Sequence, residues 1–263
     1  MSEEAPVLLT RENGIARITL NRPKAGNAID LPLARAFWDA ANIVDEDQTI
    51  RVVTLTGAGK LFCGGGDVGA FANAGERFSV LLKELTGYIH GAIARLARMD
   101  KPLVTIINGP AAGAGFNLSL MGDIAIAAQS AHFTTAYTGI GLTPDGGATW
   151  LLPRLVGLRR AQEILLLNKR VSAAEAAEIG MITKMVPDEA LAEEAEAIVT
   201  KLVDGATRAL GRTRNLLNSG AEASLETQLE LEARAIAASG RDMEGREGVA
   251  AFLAKRKPDF RSQ

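Results

Sequence analysis

KPLVTIINGPAAGAGFNLSLMGDIAIAAQSAHFTTAYTGIGLTPDGGATWLL, Lys101 to Leu152, opens on an apolar, largely β-branched run, Leu103–Ile107, that predicts a buried strand. Asn108-Gly109-Pro110 turns the chain, and five very small residues, Ala111-Ala112-Gly113-Ala114-Gly115, lead into a helix. Small residues at a helix start leave backbone N–H groups uncovered, and the helix dipole adds positive potential there. Two readings share that pattern. One is tight helix–strand packing; the other is a site that receives negative charge developing on an oxygen. Further on, Asp145 stands between Pro144 and Gly146-Gly147, after a strand-like segment and on a turn into a short helix. Read alone it is an N-cap that satisfies a backbone N–H, or a carboxylate available for chemistry.

Upstream, Val7–Leu9 and Ile15–Leu20 bracket Glu12-Asn13-Gly14, a hairpin signal with alternating side chains in the second strand. Asn21-Arg22-Pro23 ends that strand, and Lys24 and Asn27 lie in the loop after it. Asp30 is placed to cap a helix carrying Leu33, Phe37 and Ala41 on one face. Lys24 is a solvated loop cation or a phosphate ligand. Arg51–Leu55 predicts a third strand, followed by GAGKLFCGGGDV. Gly57-Ala58-Gly59-Lys60 lacks the upstream glycine and the following Ser/Thr of a phosphate loop and is rejected as one. Gly64-Gly65-Gly66-Asp67 is either a flexible turn or a place where backbone approaches a ligand closely. From Phe71 to Met99 the pattern is helical, with Leu81, Leu85, Tyr88, Ile89, Ile93 and Leu96 as its stripe and His90 beside it.

Downstream, Arg159–Leu167 and Ser172–Glu178 predict helices, the second with a capping box from Ser172 and Glu175. Gly180 ends it, and MITKMV predicts a short strand. Everything from Asp188 onward reads as helix, with apolar faces that need a partner. The order is β-rich units alternating with helices over residues 1–190, then a helical region over 191–263.

The chain has 263 residues, 47% of them hydrophobic, enough to bury a sizeable core. A formal net charge of −2 offers no basic field for nucleic acid or an acidic membrane surface. One cysteine, Cys63, excludes an internal disulfide framework, and with two histidines it makes no convincing metal site. A cytoplasmic setting fits. MSEEAPVLL lacks the pattern of a signal peptide, and no apolar run is long enough to span a bilayer.

Three collinear segments together resemble the crotonase superfamily of acyl-CoA enzymes, the enoyl-CoA hydratase/isomerase family. They are NRPKAGNAID, FCGGGD, and INGPAAGAG with GLTPDGGATWLLPRLVG; the close, EGVAAFLAKRKPDF, is similar to that family's C-terminus. Within the family the chain looks closest to the ring-epoxide isomerases of phenylacetate breakdown. The resemblance implies an α/β fold, a crotonase-like spiral of ββα repeats with a helical C-terminal trimerisation region. It also implies a thioester carbonyl held by the backbone N–H groups of Gly66 and Ala114, and a homotrimer or hexamer. The positions of the family's two hydratase glutamates carry Asn117 and Tyr137, neither of which replaces a carboxylate base. Asp145 matches the carboxylate of the ring-epoxide isomerases and of aromatic-acyl-CoA dehalogenases. His90 matches the dehalogenases' histidine, although Tyr137 stands where those enzymes carry tryptophan.

On that resemblance the expected substrate is an acyl-CoA thioester, with coenzyme A part of the substrate, no permanently bound cofactor and no metal. Lys24, Ala28, Gly64, Phe252 and Lys255 are the matched coenzyme A contacts, the last two supplied by a neighbouring subunit. Isomerase ranks first, dehalogenase-like hydrolase second and hydratase third. A catalytically silent acyl-CoA-binding or RNA-binding member of the fold is the alternative from another class.

Overall fold

The structure is a computed structural model and describes residues 5–263. Strands β1 (Val7–Glu12) and β2 (Ile15–Leu20) form the expected hairpin, pairing from Val7 with Leu20 to Glu12 with Ile15. Its two-residue turn needs positive φ twice, and Asn13 and Gly14 supply it at +53° and +82°. Alternation then works as a burial device. Ala16, Ile18 and Leu20 point inward and are fully buried.

Helix α1 (Leu31–Glu46) starts where Asp30 accepts from the Leu33 N–H, and it buries Leu33, Phe37, Ala41 and Val44. After β3 (Val52–Gly57) the chain makes α2 (Val68–Asn73) and α3 (Phe78–Arg98). The single helix expected from Phe71 to Met99 is thus broken, at Gly75, whose φ of +51° no continuing helix allows. Leu85, Ile89 and Leu96 of the expected stripe are buried, and α3 packs along α1.

The remaining elements make the spiral. Strand β4 (Leu103–Ile107) joins the large sheet, β5 (Ala111–Ala112) a small one, and α4 (Ala114–Leu120) closes that turn. The next turn repeats it with β6 (Ile124–Ala128), β7 (His132–Thr134), and helices α5 (Ala148–Val156) and α6 (Leu158–Leu166). Strand β8 (Val171–Ser172), α7 (Ala173–Glu178) and β9 (Lys184–Val186) complete it. The large sheet runs β1-β2-β3-β4-β6-β9, parallel apart from the hairpin, and the small sheet runs β5-β7-β8. Two local readings need correction. Only Lys184–Val186 of MITKMV is strand, because the Met181 and Ile182 N–H groups donate to the Ala176 carbonyl of α7 and are lost to a ladder. The capping box at α7 is half made: Ser172 accepts from the Glu175 N–H, but the Glu175 carboxylate pairs with Lys169.

Four helices follow: α8 (Leu191–Val203), α9 (Thr207–Gly220), α10 (Leu225–Arg241) and α11 (Met243–Leu253). Helix α8 lays Val199 and Val203 against Val52 and Val104 of the sheet. Helix α9 is tied to the core by the buried Arg214, whereas α10 buries no residue at all. Among the described residues no helix is long and apolar enough to cross a membrane, and no cluster of His, Cys, Asp and Glu is set to hold a metal ion.

Candidate active site

The site is built where two glycine-rich loops meet. The first follows β3 and is held from beneath by Asn27. That side chain is fully buried, donates to the carbonyls of Ala58, Leu61 and Phe62, and accepts from the Arg22 N–H. Arg22 also pairs with both Asp30 and Asp67, the caps of α1 and α2, and donates to the Ala28 carbonyl. One guanidinium thereby fixes the starts of two helices on either side of the Gly64–Gly66 loop. Cys63, at the foot of that loop, is wholly buried, and burial pushes its thiol up to about 12.

Gly65 has φ +96° and Gly113 has φ +52°, conformations that L side chains rarely adopt. They also face each other so closely that a Cβ on Gly65 would lie 3.3 Å from the Gly113 Cα. This contact sets the following residues, Gly66 and Ala114, on one cavity wall. Gly66 bridges to Ile29 through its neighbours: Ile29 N–H donates to Gly65 O, and Asp67 N–H to Ile29 O. In that parallel pattern the Gly66 N–H points away from Ile29. Ala114 is the first residue of α4, so its N–H belongs to the open end of the helix. Among the described residues neither N–H has an acceptor. A Cβ on Gly66 would sit 2.4 Å from the tip of the Phe71 ring, so any side chain there would have to displace that ring from the cavity wall.

The cavity holds about 350 Å³. Its walls are mostly apolar, from Ile29, Val68, Phe71, Leu85, Ile89 and Leu142, and Tyr137 and Asp145 add polar atoms. Asp145 does not act as the N-cap that its place in the sequence suggests. Gly147, in the left-handed region, occupies the cap position of α5, without a side-chain bond. The segment before Asp145 is not strand-like either, but a single 3-10 turn, Thr138–Ile140, and a loop. The Asp145 carboxylate instead accepts from the Tyr137 hydroxyl and lies 3.1 Å from His90 Nε2. Asn117, buried in α4, donates both to Tyr137 Oη and to the Asp145 carbonyl, while its own side-chain oxygen is buried without a partner. Burial, and then the charge of Asp145, raise the Tyr137 phenol well above its usual range, so it stays a donor.

The structure therefore brings Gly64, Gly66, Ala114, Tyr137 and Asp145 to one cavity, with Asn117 and His90 next to Asp145 but outside the lining. It does not bring Lys24, Ala28, Phe252 or Lys255 to the lining; Lys24, Phe252 and Lys255 are exposed on the surface. Sequence reasoning missed Asn27 and Arg22 as supports. For Arg22 the available signal was the pair of capping aspartates, Asp30 and Asp67, whose carboxylates favour a shared cation where their helices start close together.

A model of the family described as "Enoyl-CoA hydratase/isomerase" matches residues 10–263. The chain is 41% identical to 1,2-epoxyphenylacetyl-CoA isomerase of Escherichia coli K12, over 95% of each chain. It is 32% identical to crotonyl-CoA hydratase of Syntrophomonas wolfei, over 98% of each. Its fold superposes on an enoyl-CoA hydratase crystal structure from Polaromonas sp. JS666 with a TM-score of 0.91 at 31% identity, covering 96% of this chain and 98% of that one.

Proposed function

The chain belongs to the enoyl-CoA hydratase/isomerase family, and we propose that within it this protein is an isomerase that moves a proton through a thioester enolate with one carboxylate, Asp145. As a member of the family it is an acyl-CoA-processing enzyme of crotonase fold. The observation that carries the isomerase reading is the content of the cavity wall: two N–H groups without acceptors, and one carboxylate.

The chemistry follows from that geometry. Removing a proton from the carbon beside a thioester pushes charge onto the carbonyl oxygen. The Gly66 and Ala114 N–H groups would bind that oxygen, and losing one such donor costs about 3–4 kcal/mol in the barrier. Asp145 takes the proton and returns it to another carbon, so no second carboxylate is required. Hydration would need a base for water as well, and Asn117 and Tyr137 are not bases under these conditions; Tyr137 is held protonated. Similarity to the Escherichia coli 1,2-epoxyphenylacetyl-CoA isomerase favours the same reaction class.

One observation favours a second reading, a dehalogenase-like hydrolase. His90 lies 3.1 Å from Asp145, the pairing such chemistry needs if Asp145 attacks an aromatic ring and His90 activates water. A panel of acyl-CoA thioesters, with isomerised, hydrated and dehalogenated products recorded separately by mass spectrometry, decides between these readings. Asp145→Asn should remove isomerisation by about two to four orders of magnitude; unchanged turnover in that variant overturns the assignment.

Coenzyme A is proposed to be held by Lys24, Ala28 and Gly64 of one chain and by Phe252 and Lys255 of a neighbour. The supporting observation is exposure: Phe252 is 83% exposed, and Leu217, Leu225, Ile236 and Leu253 are each at least 70% exposed on the C-terminal helices. Faces of that kind are what a homotrimer or hexamer would cover. A cytoplasmic location is proposed with it, on the single unpaired cysteine.

A further inference from the structure

Asn117 Nδ2 lies 2.8 Å from the Asp145 backbone carbonyl, which only accepts, so the nitrogen of that amide is fixed on this side. Its second N–H then donates to Tyr137 Oη at 2.7 Å. With one lone pair so engaged, the phenol directs its own proton to Asp145 Oδ1, 2.5 Å away. On the other side of the carboxylate, Oδ2 faces His90 Nε2 at 3.1 Å. That nitrogen already accepts from the Gly146 N–H at 3.0 Å, so it carries a lone pair and the imidazole proton is on Nδ1. His90 in this form has no proton to give to Oδ2.

The two carboxylate oxygens are therefore unequal. We infer that Tyr137 is a positioning residue, which occupies Oδ1 with a permanent donor and leaves Oδ2 as the oxygen that exchanges the proton. This rests on the reading of Asp145 as the base. Written out, the substrate C–H proton passes to Oδ2 while its electron pair moves into the thioester enolate. The same proton then returns from Oδ2 to the far carbon as the enolate electrons form the new C–H bond. Tyr137 keeps its own proton throughout, as its burial beside a negative charge requires. The local backbone favours this arrangement. Ala136, just before Tyr137, sits at φ +60°, a strained value for alanine that turns the tyrosine toward Asp145.

The titratable groups facing Asp145 are His90 from α3 and Tyr137, with Lys83 of α3 lining the same cavity. Tyr137→Phe removes a donor to the charged carboxylate, which raises the pKa of the base. Its kcat should fall by about a hundredfold, the scale of a misplaced catalytic group. KM should change little, and the acid limb of the pH profile of kcat/KM should move to higher pH. The chain has two tyrosines, Tyr88 and Tyr137, so fluorotyrosine labelling gives two 19F signals. A fluorinated phenol is the stronger donor and should move the acid limb the opposite way, a test that survives if Tyr137→Phe fails to fold. In Asp145→Asn the Tyr137 signal alone should shift. Wild-type kcat and an unmoved acid limb in Tyr137→Phe or in the fluorinated enzyme, with Asp145→Asn inactive, overturn this inference and leave the isomerase reading standing. An active Asp145→Asn overturns both.

Discussion

Gly65 and Gly113 touch backbone to backbone, and this one contact fixes the spacing of the two N–H groups beside them. A Cβ on Gly65 would lie 2.9 Å from the Ala112 carbonyl oxygen, at φ +96°. Gly65→Ala therefore meets both strain and a backbone collision. We expect a loss of about 1–3 kcal/mol in stability from the strained backbone. Turnover should fall further than stability does, because shifting the Gly66 N–H by about 1 Å costs on the order of a hundredfold. Chemical denaturation and steady-state kinetics on the same preparation separate the two effects. Full activity in a folded variant would show that the contact does not set the site.

Gly87 is the contrasting glycine. It lies within α3, and a Cβ there meets nothing within 4 Å. Gly87→Ala should stabilise the protein by about 0.5–1 kcal/mol through helix propensity, with kinetics unchanged. A lower denaturation midpoint would contradict the open surroundings of that position.

Much of the architecture was legible in the sequence because its signals are local. The Asn13-Gly14 turn, the Asp30 cap and the β-branched run Leu103–Ile107 each carry their instructions within a few residues. The strands Ile124–Ala128 and His132–Thr134 carry no comparable signal, since IAIAA is rich in alanine, a residue depleted in strands, and HFT is only three residues long. Sequence order also suggested the wrong partner for Asp145. Its nearest open N–H groups are those of α5, yet the chain folds Tyr137 and His90 onto the carboxylate from 8 and 55 residues away. Asn27 gave no signal at all. Its three carbonyl partners lie 31 to 35 residues downstream, and only the folded loop brings them around one amide.

The C-terminal end carries a pH-sensitive clasp. Glu247 of α11 accepts from both Arg256 terminal nitrogens and from the Asp259 N–H. The Arg256 bonds, then the Asp259 N–H, hold its carboxyl at about 2, below the ordinary 4.5. A depressed carboxyl pKa adds stability that is fully present above 4.5 and fades as pH falls toward 2. Wild type and Glu247→Gln should accordingly differ in melting temperature at neutral pH and converge as the pH approaches 2. A difference that persists unchanged at acid pH would rule the clasp out.

Arg214 supplies the last expectation. It is 7% exposed, and its guanidinium donates to the carbonyls of Leu96 and Met99 and to the Asp123 carboxylate. The two carbonyls lie at the C-terminal end of α3, where helix groups have no internal partner and a cation is favoured. Asp123 in turn accepts from the Leu103 N–H at the start of β4. One side chain on α9 thus joins the end of α3 to the loop before β6, beneath the helices that follow. Arg214→Leu leaves the two carbonyls without their donor and Asp123 without its cation. Breaking a buried charge pair of this kind costs about 3–5 kcal/mol, and the partial exposure of Asp123 puts the loss near the lower figure. Arg214→Lys keeps the charge but cannot reach three acceptors in one plane, so it should recover only part of it. Urea unfolding of the three proteins should order them wild type, Arg214→Lys, Arg214→Leu. If the lysine variant equals wild type, the planar fork is not what holds α9 to the core.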